Sequence, residues 1–401
     1  MIRKRILFFI NHFPSRSETF VKDEIEYFKK AGFHVEVLCH LFETPLDHIQ
    51  FHQTGLTRNY FQRFLGALKI LIRGSLRKKI ELLNYTKYGS NSYNLSLLFV
   101  ANFFLSNNKK YDLIFCQFGT NGKYVCQLKQ AGIIKPETKI VVRFHGIDLS
   151  LKTFGSNYYK ILNTYCDKII VGSELAVEQL KALKIYNPKK VEKIPVSYDL
   201  NKFAARNLKE QIGKIKILSV GRLIEWKGHL EAIDIIQLLK AHHPEIEFEY
   251  QIIGEGPLYN TLRKKIDDNN LSKFITLSGS KNHDVVLETM SNSDIFLYPG
   301  KIDENGRQET QGAAVGEAMG CSCIIISSEV GGVKEYVKNY YNGLLCKPGD
   351  YSCFVEHIIT SAKDYELRKK LVENARKTII GEYDRDKNYN LLVNSILTIL
   401  N

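Results

Sequence analysis

Residues 214–229, KIKILSVGRLIEWKGH, decide the fold. An apolar run ends at Gly221, cations follow at Arg222 and Lys227, and Gly228 leads into a helical pattern. This reads as a buried strand passing through a tight glycine turn into a helix. The unit recurs. RILFFI, HVEVLC, DLIFCQF, KIVVRF and KIIVGS punctuate helical patterns in the first half; EFEYQIIG, FITLSG, DIFLYP, CIIIS and GLLC do so after KIKILSVG in the second. Strands alternating with helices predict parallel sheets, so the expected class is α/β, with two doubly wound domains. The expected domains are 1–200 and 201–384, with a polar seam at 196–213. Tyr389, Leu392, Ile396 and Leu400 give the last segment helical spacing, and 385–401 is able to pack back on the first domain. DRD at 384–386 follows no strand and is read as a helix cap rather than a metal site.

Composition bounds the reading. A chain of 401 residues, 44% hydrophobic and 25% charged, has material for two cores. The opening MIRKRILFFINHFP has too short an apolar run for a signal peptide, and LSLLFVANFFL at 95–105 is about half a membrane span. A soluble protein on the cytoplasmic side is expected. The eight cysteines (39, 116, 126, 166, 321, 323, 346 and 353) form no C-x-x-C pair and are read as reduced and structural, with Cys321 and Cys323 on one strand face. The net charge of +13 is uneven: residues 1–200 hold 30 Lys and Arg against 16 Asp and Glu, and residues 201–401 hold 26 against 27.

Within the second half, Arg222 and Lys227 beside Gly221 suit a diphosphate clamp at a helix N-terminus, or else a solvated turn. IIGEGPLYNTL supplies Gly254 and Gly256 but lacks the third glycine of a dinucleotide fingerprint. Gly331 and Gly332 in SSEVGGVKEYV permit close approach of backbone N–H groups to a phosphate. RQETQGAAVGE places Glu309 in the loop after DIFLYP and Glu317 inside a helix expected from about Gln311 to Met319. Ionised carboxylates only accept hydrogen bonds, which suits sugar hydroxyls. Each motif taken singly fits an ordinary turn.

In order, GRLIEWKG, GEGP, ETQGAAVGE and GG resemble the second domain of family-4 retaining glycosyltransferases of the GT-B fold, two Rossmann-like domains facing a cleft. FPSRSETFVKDEI, RFHGIDL and IIVGSELAVEQL extend the resemblance over nearly the whole chain, toward the branch that builds colanic-acid-type exopolysaccharide, capsule and O-antigen. The resemblance implies that Glu309 contacts the donor sugar and Glu317 the ribose. Arg222 and Lys227 would neutralise the diphosphate, supported by Gly221, Gly254, Gly331 and Gly332, with no metal or other cofactor. It implies that His145 faces the reacting sugar, positioning it and relaying a proton, with Asp148 alongside. No glycine pair follows the first strand, and Ser17, Glu18 and Thr19 are expected to supply acceptor-side hydrogen bonds there. The implied donor is a nucleoside-diphosphate sugar, UDP-hexose by frequency.

Between Arg58 and Ile80 lie seven basic and no acidic residues, with Phe61, Phe64, Leu65, Leu68, Leu71, Ile72, Leu76 and Ile80 near helical spacing. A basic amphipathic helix suits an anionic inner-membrane surface, through Arg63, Lys69, Arg73, Arg77, Lys78 and Lys79, and a polyprenyl-diphosphate-linked glycan acceptor. The other reading is a core-packed helix with a solvated basic face. A non-hydrolysing sugar-nucleotide epimerase shares the architecture and is the alternative activity; it would turn over donor without acceptor. Nucleic acid is not an expected partner, because no recognised module accompanies the charge.

Overall fold

The computed structural model describes residues 4–13, 19–42, 46, 48–72, 76–107, 109–203, 208, 210 and 213–401. The chain divides into two compact units. The first comprises Met1–Gly172, Ala176–Ile194 and Tyr389–Asn401; the second comprises Ser173–Leu175 and Pro195–Asn388.

Unit 1 is a seven-stranded parallel sheet. Its strands are β1 (Arg5–Phe13), β2 (His34–Phe42), β3 (Gln50–Gln53), β4 (Leu113–Gln117), β5 (Lys139–Arg143), β6 (Lys168–Val171) and β7 (Val191–Lys193), in spatial order 3-2-1-4-5-6-7. Unit 2 repeats the plan with six strands: β8 (Ile215–Val220), β9 (Phe248–Ile253), β10 (Ile275–Leu277), β11 (Ile295–Tyr298), β12 (Ile324–Ser328) and β13 (Leu344–Cys346), in order 10-9-8-11-12-13. In both, the order reverses beside the first strand, and ligands of such sheets bind past the carboxyl ends at that switch point. The central strands are buried on both faces, which is why they read as unbroken apolar runs.

Beyond the expected strands lie the edges β3 and β7, QFHQ and VEK, both half-exposed and polar. The final helix, Arg385–Leu400, is capped by the Asp384 carboxylate, which accepts from the Lys387 N–H at 2.8 Å. Its Leu392, Val393 and Ile396 join the unit 1 core with Ile6, Phe8 and Ile25. Its first residue, Arg385, instead pairs with Asp199 at 2.9 Å within unit 2.

The cysteines depart from expectation. Cys346, ending β13, and Cys353, on the helix Tyr351–Lys363, are joined by a disulfide, so all eight are not reduced; the other six are buried thiols. Cys321 caps the helix Ala313–Gly320, and Ser322 turns with φ 67°, so Cys321 and Cys323 do not share a strand.

Candidate active site

In unit 2 the glycine turns lock the strand ends together. A Cβ on Gly254 would stand 1.9 Å from the Gly221 carbonyl oxygen, so only glycine lets the turn after β9 lie against the turn after β8. Lys227 closes a short 3₁₀ turn (Glu225–Lys227) rather than opening the helix, which runs His229–His242. Between them Gly228 takes φ 76°, and a Cβ there would come within 1.9 Å of the Pro299 carbonyl oxygen. The Lys227 turn is thereby pressed onto the end of β11, and Lys227 Nζ forms an ion pair with Glu309 Oε2. Burial would raise the Glu309 carboxyl pKa, but the Lys227 charge and hydrogen bond, with Arg222 behind them, hold it below the ordinary carboxylate value. Arg222 is exposed, with its guanidinium 6.0 Å from the buried Trp226 ring.

Gly331 and Gly332 are packed against the backbone of Glu309 and Thr310. The Gly332 N–H donates to the Glu309 carbonyl at 2.9 Å, and a Cβ on Gly332 would stand 1.7 Å from the Thr310 oxygen. A Cβ on Gly331, which takes φ 67°, would stand 2.2 Å from the Glu309 carbonyl oxygen. The pair is therefore the floor that fixes the Glu309 backbone, and the Gly332 N–H is already committed. Glu317 sits inside the helix Ala313–Gly320, two residues shorter at its start than expected, and its Oε1 meets His283 Nε2 at 2.8 Å.

Four residues of this site were given no role by the sequence reading. His283 is held to Glu317, and that hydrogen bond raises its pKa above 6.5. Gln311 grips the backbone of Val196 twice, at 2.8 and 2.6 Å. Arg307 stacks over Trp226 at 4.5 Å and is tied to Asp303 at 2.5 Å. His229 is buried beside Gly221, its pKa pushed down to about 4 by burial and Lys227, and its Nε2 has no hydrogen-bond partner among the described residues. The partners of His283 and Gln311 lie in distant segments, so spacing does not reveal them.

His145 and Asp148 lie in unit 1, after β5. Asp148 is buried and accepts from the Gly119 N–H at 2.7 Å and the His145 N–H at 3.0 Å, which makes it a scaffold of the turn rather than an acceptor ligand. The His145 ring stands 5.0 Å from Phe20 and 4.7 Å from Phe118, and burial, then Arg143, holds its pKa well below 6.5. Ser17 and Glu18 lie outside the described residues; Thr19 opens the helix Thr19–Lys30, and its side chain lies outside them too.

The basic segment forms two helices, Tyr60–Ile72 and Leu76–Glu81; Arg73 lies outside the described residues. The first helix turns its narrow side inward. Ala67 and Ile70 are buried, and a Cβ on Gly66 would stand 2.9 Å from the Phe99 ring. Phe61, Phe64, Leu65, Leu68 and Ile72, which lie on one helical face, are exposed, Ile72 by 83%. The core-packed reading of that apolar face is therefore excluded. Lys69, Arg77 and Lys78 are exposed, and Lys78 Nζ donates to the Gly132 carbonyl at 3.0 Å. Two assignments change: Arg63 is spent on the Thr57 and Asn94 carbonyls, and Lys79 is buried with Nζ on the Ile70 carbonyl at 2.7 Å.

The comparisons agree with this architecture. The Glycosyltransferase Family 4 model matches residues 17–202 and the Glycosyl transferases group 1 model residues 201–378. The chain belongs to the family-4 glycosyltransferases, with the GT-B fold. It is 28% identical to WcaL of Salmonella typhimurium, named as a colanic acid biosynthesis glycosyltransferase, over 98% of this chain and 100% of that one. It is 26% identical to the amylovoran biosynthesis glycosyltransferase AmsK of Erwinia amylovora, over 97% and 98%. Among solved structures it superposes on sucrose-phosphate synthase from Thermosynechococcus elongatus (TM-score 0.76, 17% identity, 99% of each chain). It also superposes on HepE of Anabaena, solved with UDP and glucose (TM-score 0.72, 15% identity, 99% and 100%). The protein is a glycosyltransferase of the exopolysaccharide-biosynthesis type.

Proposed function

We propose that the enzyme moves a hexose from a UDP-sugar to a growing, polyprenyl-diphosphate-linked polysaccharide at the anionic inner face of the cell membrane, with retention of configuration and without a metal. The reading rests on one observation: Arg222 and the Lys227–Glu309 pair meet at the carboxyl ends of β8 and β11, the switch point of unit 2. Two fixed cations there neutralise a leaving diphosphate, which is the largest charge to develop in the reaction. Glu309, kept ionised, accepts hydroxyl hydrogens of the sugar. Diphosphate oxygens entering the site take over the Lys227 ammonium, which frees Glu309 for that task. The departing phosphate removes the acceptor proton on the same face, and His145 acts on the reacting sugar. HepE binding UDP and glucose supports a uridine donor.

The lipid-linked acceptor is supported by the exposed apolar face of Tyr60–Ile72 together with Lys69, Arg77 and Lys78. Such a face lies in a headgroup layer and draws on anionic lipid. Among the described residues no helix is long and apolar enough to cross a membrane.

The test is nucleoside diphosphate release from a panel of nucleotide sugars, with and without membrane lipid extract, for wild type, Glu309→Ala and Lys227→Ala. Release from a UDP-sugar, dependent on lipid and lowered about 10²–10³-fold in both variants, is expected. Turnover without lipid would remove the lipid-linked acceptor, and silence with every donor would remove the transferase site.

A further inference from the structure

At one edge of the unit 2 sheet, Cys346 ends β13 and Cys353 lies in the first turn of the helix Tyr351–Lys363, the two joined by the disulfide. His357 follows Cys353 by four positions, one turn along the same helix face. A nitrogen of its ring and the two sulfurs all lie within 4.8 Å of one another. Cys346 and His357 are buried, and Cys353 is half-buried. A disulfide needs the two cysteines and has no use for the histidine. Packing that does not depend on the S–S bond holds all three in place. Leu344, Leu345 and Cys346 pair with Ile326, Ser327 and Ser328 of β12. The Asp350 carboxylate caps the helix, accepting from the Cys353 N–H at 3.1 Å, and Phe354 and Ile358 join Leu344 and Cys346 in the core. A hydrogen bond to the Leu345 backbone and the edge of the Tyr340 ring, centroids 5.7 Å apart, orient the His357 ring. Cutting the S–S bond therefore leaves two thiols side by side and beside an imidazole.

Two thiolates and an imidazole are a donor set for zinc. Tetrahedral bonding with Zn–S of about 2.3 Å and Zn–N of about 2.0 Å sets the donors about 3.5–3.8 Å apart. Freed sulfurs and a ring nitrogen already gathered within 4.8 Å reach that spacing by turning side chains. Zinc with two thiolates carries no net charge, which suits a half-buried edge. We propose that reduction of the Cys346–Cys353 disulfide opens a zinc site made by Cys346, Cys353 and His357, with water in the fourth position. β13 and the helix after it are then tied by a disulfide in one redox state and by the metal in the other. A dithiol reductant supplies two electrons and two protons: its own sulfurs become a disulfide, and the Cys346–Cys353 bond breaks to two thiols. Zn²⁺ displaces both thiol protons to solvent as two Zn–S bonds form. The tie thus persists where thiols are kept reduced and a disulfide does not.

None of this rests on the transfer reaction, and the test needs no substrate. Cobalt(II), which takes zinc's place and has a visible spectrum, is the probe. The full chain is oxidised or reduced, and its thiols are counted in denaturant; six are expected in the oxidised protein and eight in the reduced. Reduced, metal-free wild type under argon should take up one Co²⁺ per chain. The expected signature is a thiolate-to-cobalt charge-transfer band with the d–d bands of a tetrahedral site, release of about two protons at pH 7, and loss of the spectrum when Zn²⁺ is added. Oxidised protein should show no such band. Cys353→Ser should lose the two-thiolate spectrum, and His357→Gln should weaken Co²⁺ binding about tenfold or more. Circular dichroism reports whether each variant is folded, and the comparison of wild type with itself in two redox states needs no variant. Absence of the band in reduced wild type, an equal band in oxidised protein, or unchanged Co²⁺ affinity in folded His357→Gln overturns the inference. Eight free thiols after oxidation would remove the disulfide state and overturn it as well.

Discussion

The two units share a strand order and differ in what they expose. Unit 2 encloses its chemistry: glycines at the strand ends allow backbone to touch backbone, and the Lys227–Glu309 pair sits in the resulting floor. Unit 1 holds a buried polar chain of Glu24, Arg143 and Gln117 under His145 and, on its outer helices, a face of large apolar side chains turned to solvent. Two sheets of the same doubly wound plan thus carry different surfaces, one an enclosed pair of opposite charges and the other an exposed apolar face. The charge imbalance between the halves follows that division.

If the division is real, changes on one side should leave the other untouched. The largest effect is expected from Lys69→Glu, Arg77→Glu and Lys78→Glu together. Each basic residue near an anionic surface contributes about 1 kcal/mol, so losing three weakens vesicle partitioning more than about a hundredfold. Co-sedimentation would measure this, and nucleotide affinity by titration calorimetry should not move. A fall in nucleotide affinity of comparable size would mean the basic helices belong to the donor site.

Next comes Gly228→Ala, the reciprocal change. Its left-handed φ and the approach of the Pro299 carbonyl predict a loss of about 2 kcal/mol in stability, read by urea unfolding, and weaker UDP binding. Vesicle binding should survive.

The smallest effect is pH-dependent and internal to unit 2. The folded pKa of His283 is raised above 6.5 by its hydrogen bond to Glu317. The pair therefore stabilises fully below about pH 6.5 and loses its contribution as pH rises through the folded value. His283→Gln should cost no more than about 1 kcal/mol at pH 5.5, since the histidine is partly solvated, and close to nothing at pH 8.5. Urea titrations at both values would show it, and a larger cost at the higher pH would reverse the assignment.

How much of this was legible follows from where the information lies. The central strands were readable because burial on both faces demands unbroken apolar runs; QFHQ and VEK were not, because edge strands do not need them. Arg222, Lys227, Glu309 and Glu317 stand in local motifs. His283, Gln311, Gln117 and Glu24 act through partners 28 to 115 positions away, and no short window of sequence contains both ends. The apolar stripe of Tyr60–Ile72 was visible, but its direction was decided by Gly66 and Ala67, whose small size lets the opposite side approach Phe99. A hydrophobic pattern reports a face; it does not say which way the face looks.

That outward face governs how the protein behaves away from lipid. Phe61, Phe64, Leu65, Leu68 and Ile72 offer any second copy the same patch, and the surrounding positive charge opposes its approach. Added salt screens that repulsion and the attraction to anionic lipid alike. If the face seats on an anionic bilayer as proposed, ionic strength selects between two fates of one surface: dilute electrolyte favours the bilayer, and concentrated electrolyte favours self-association.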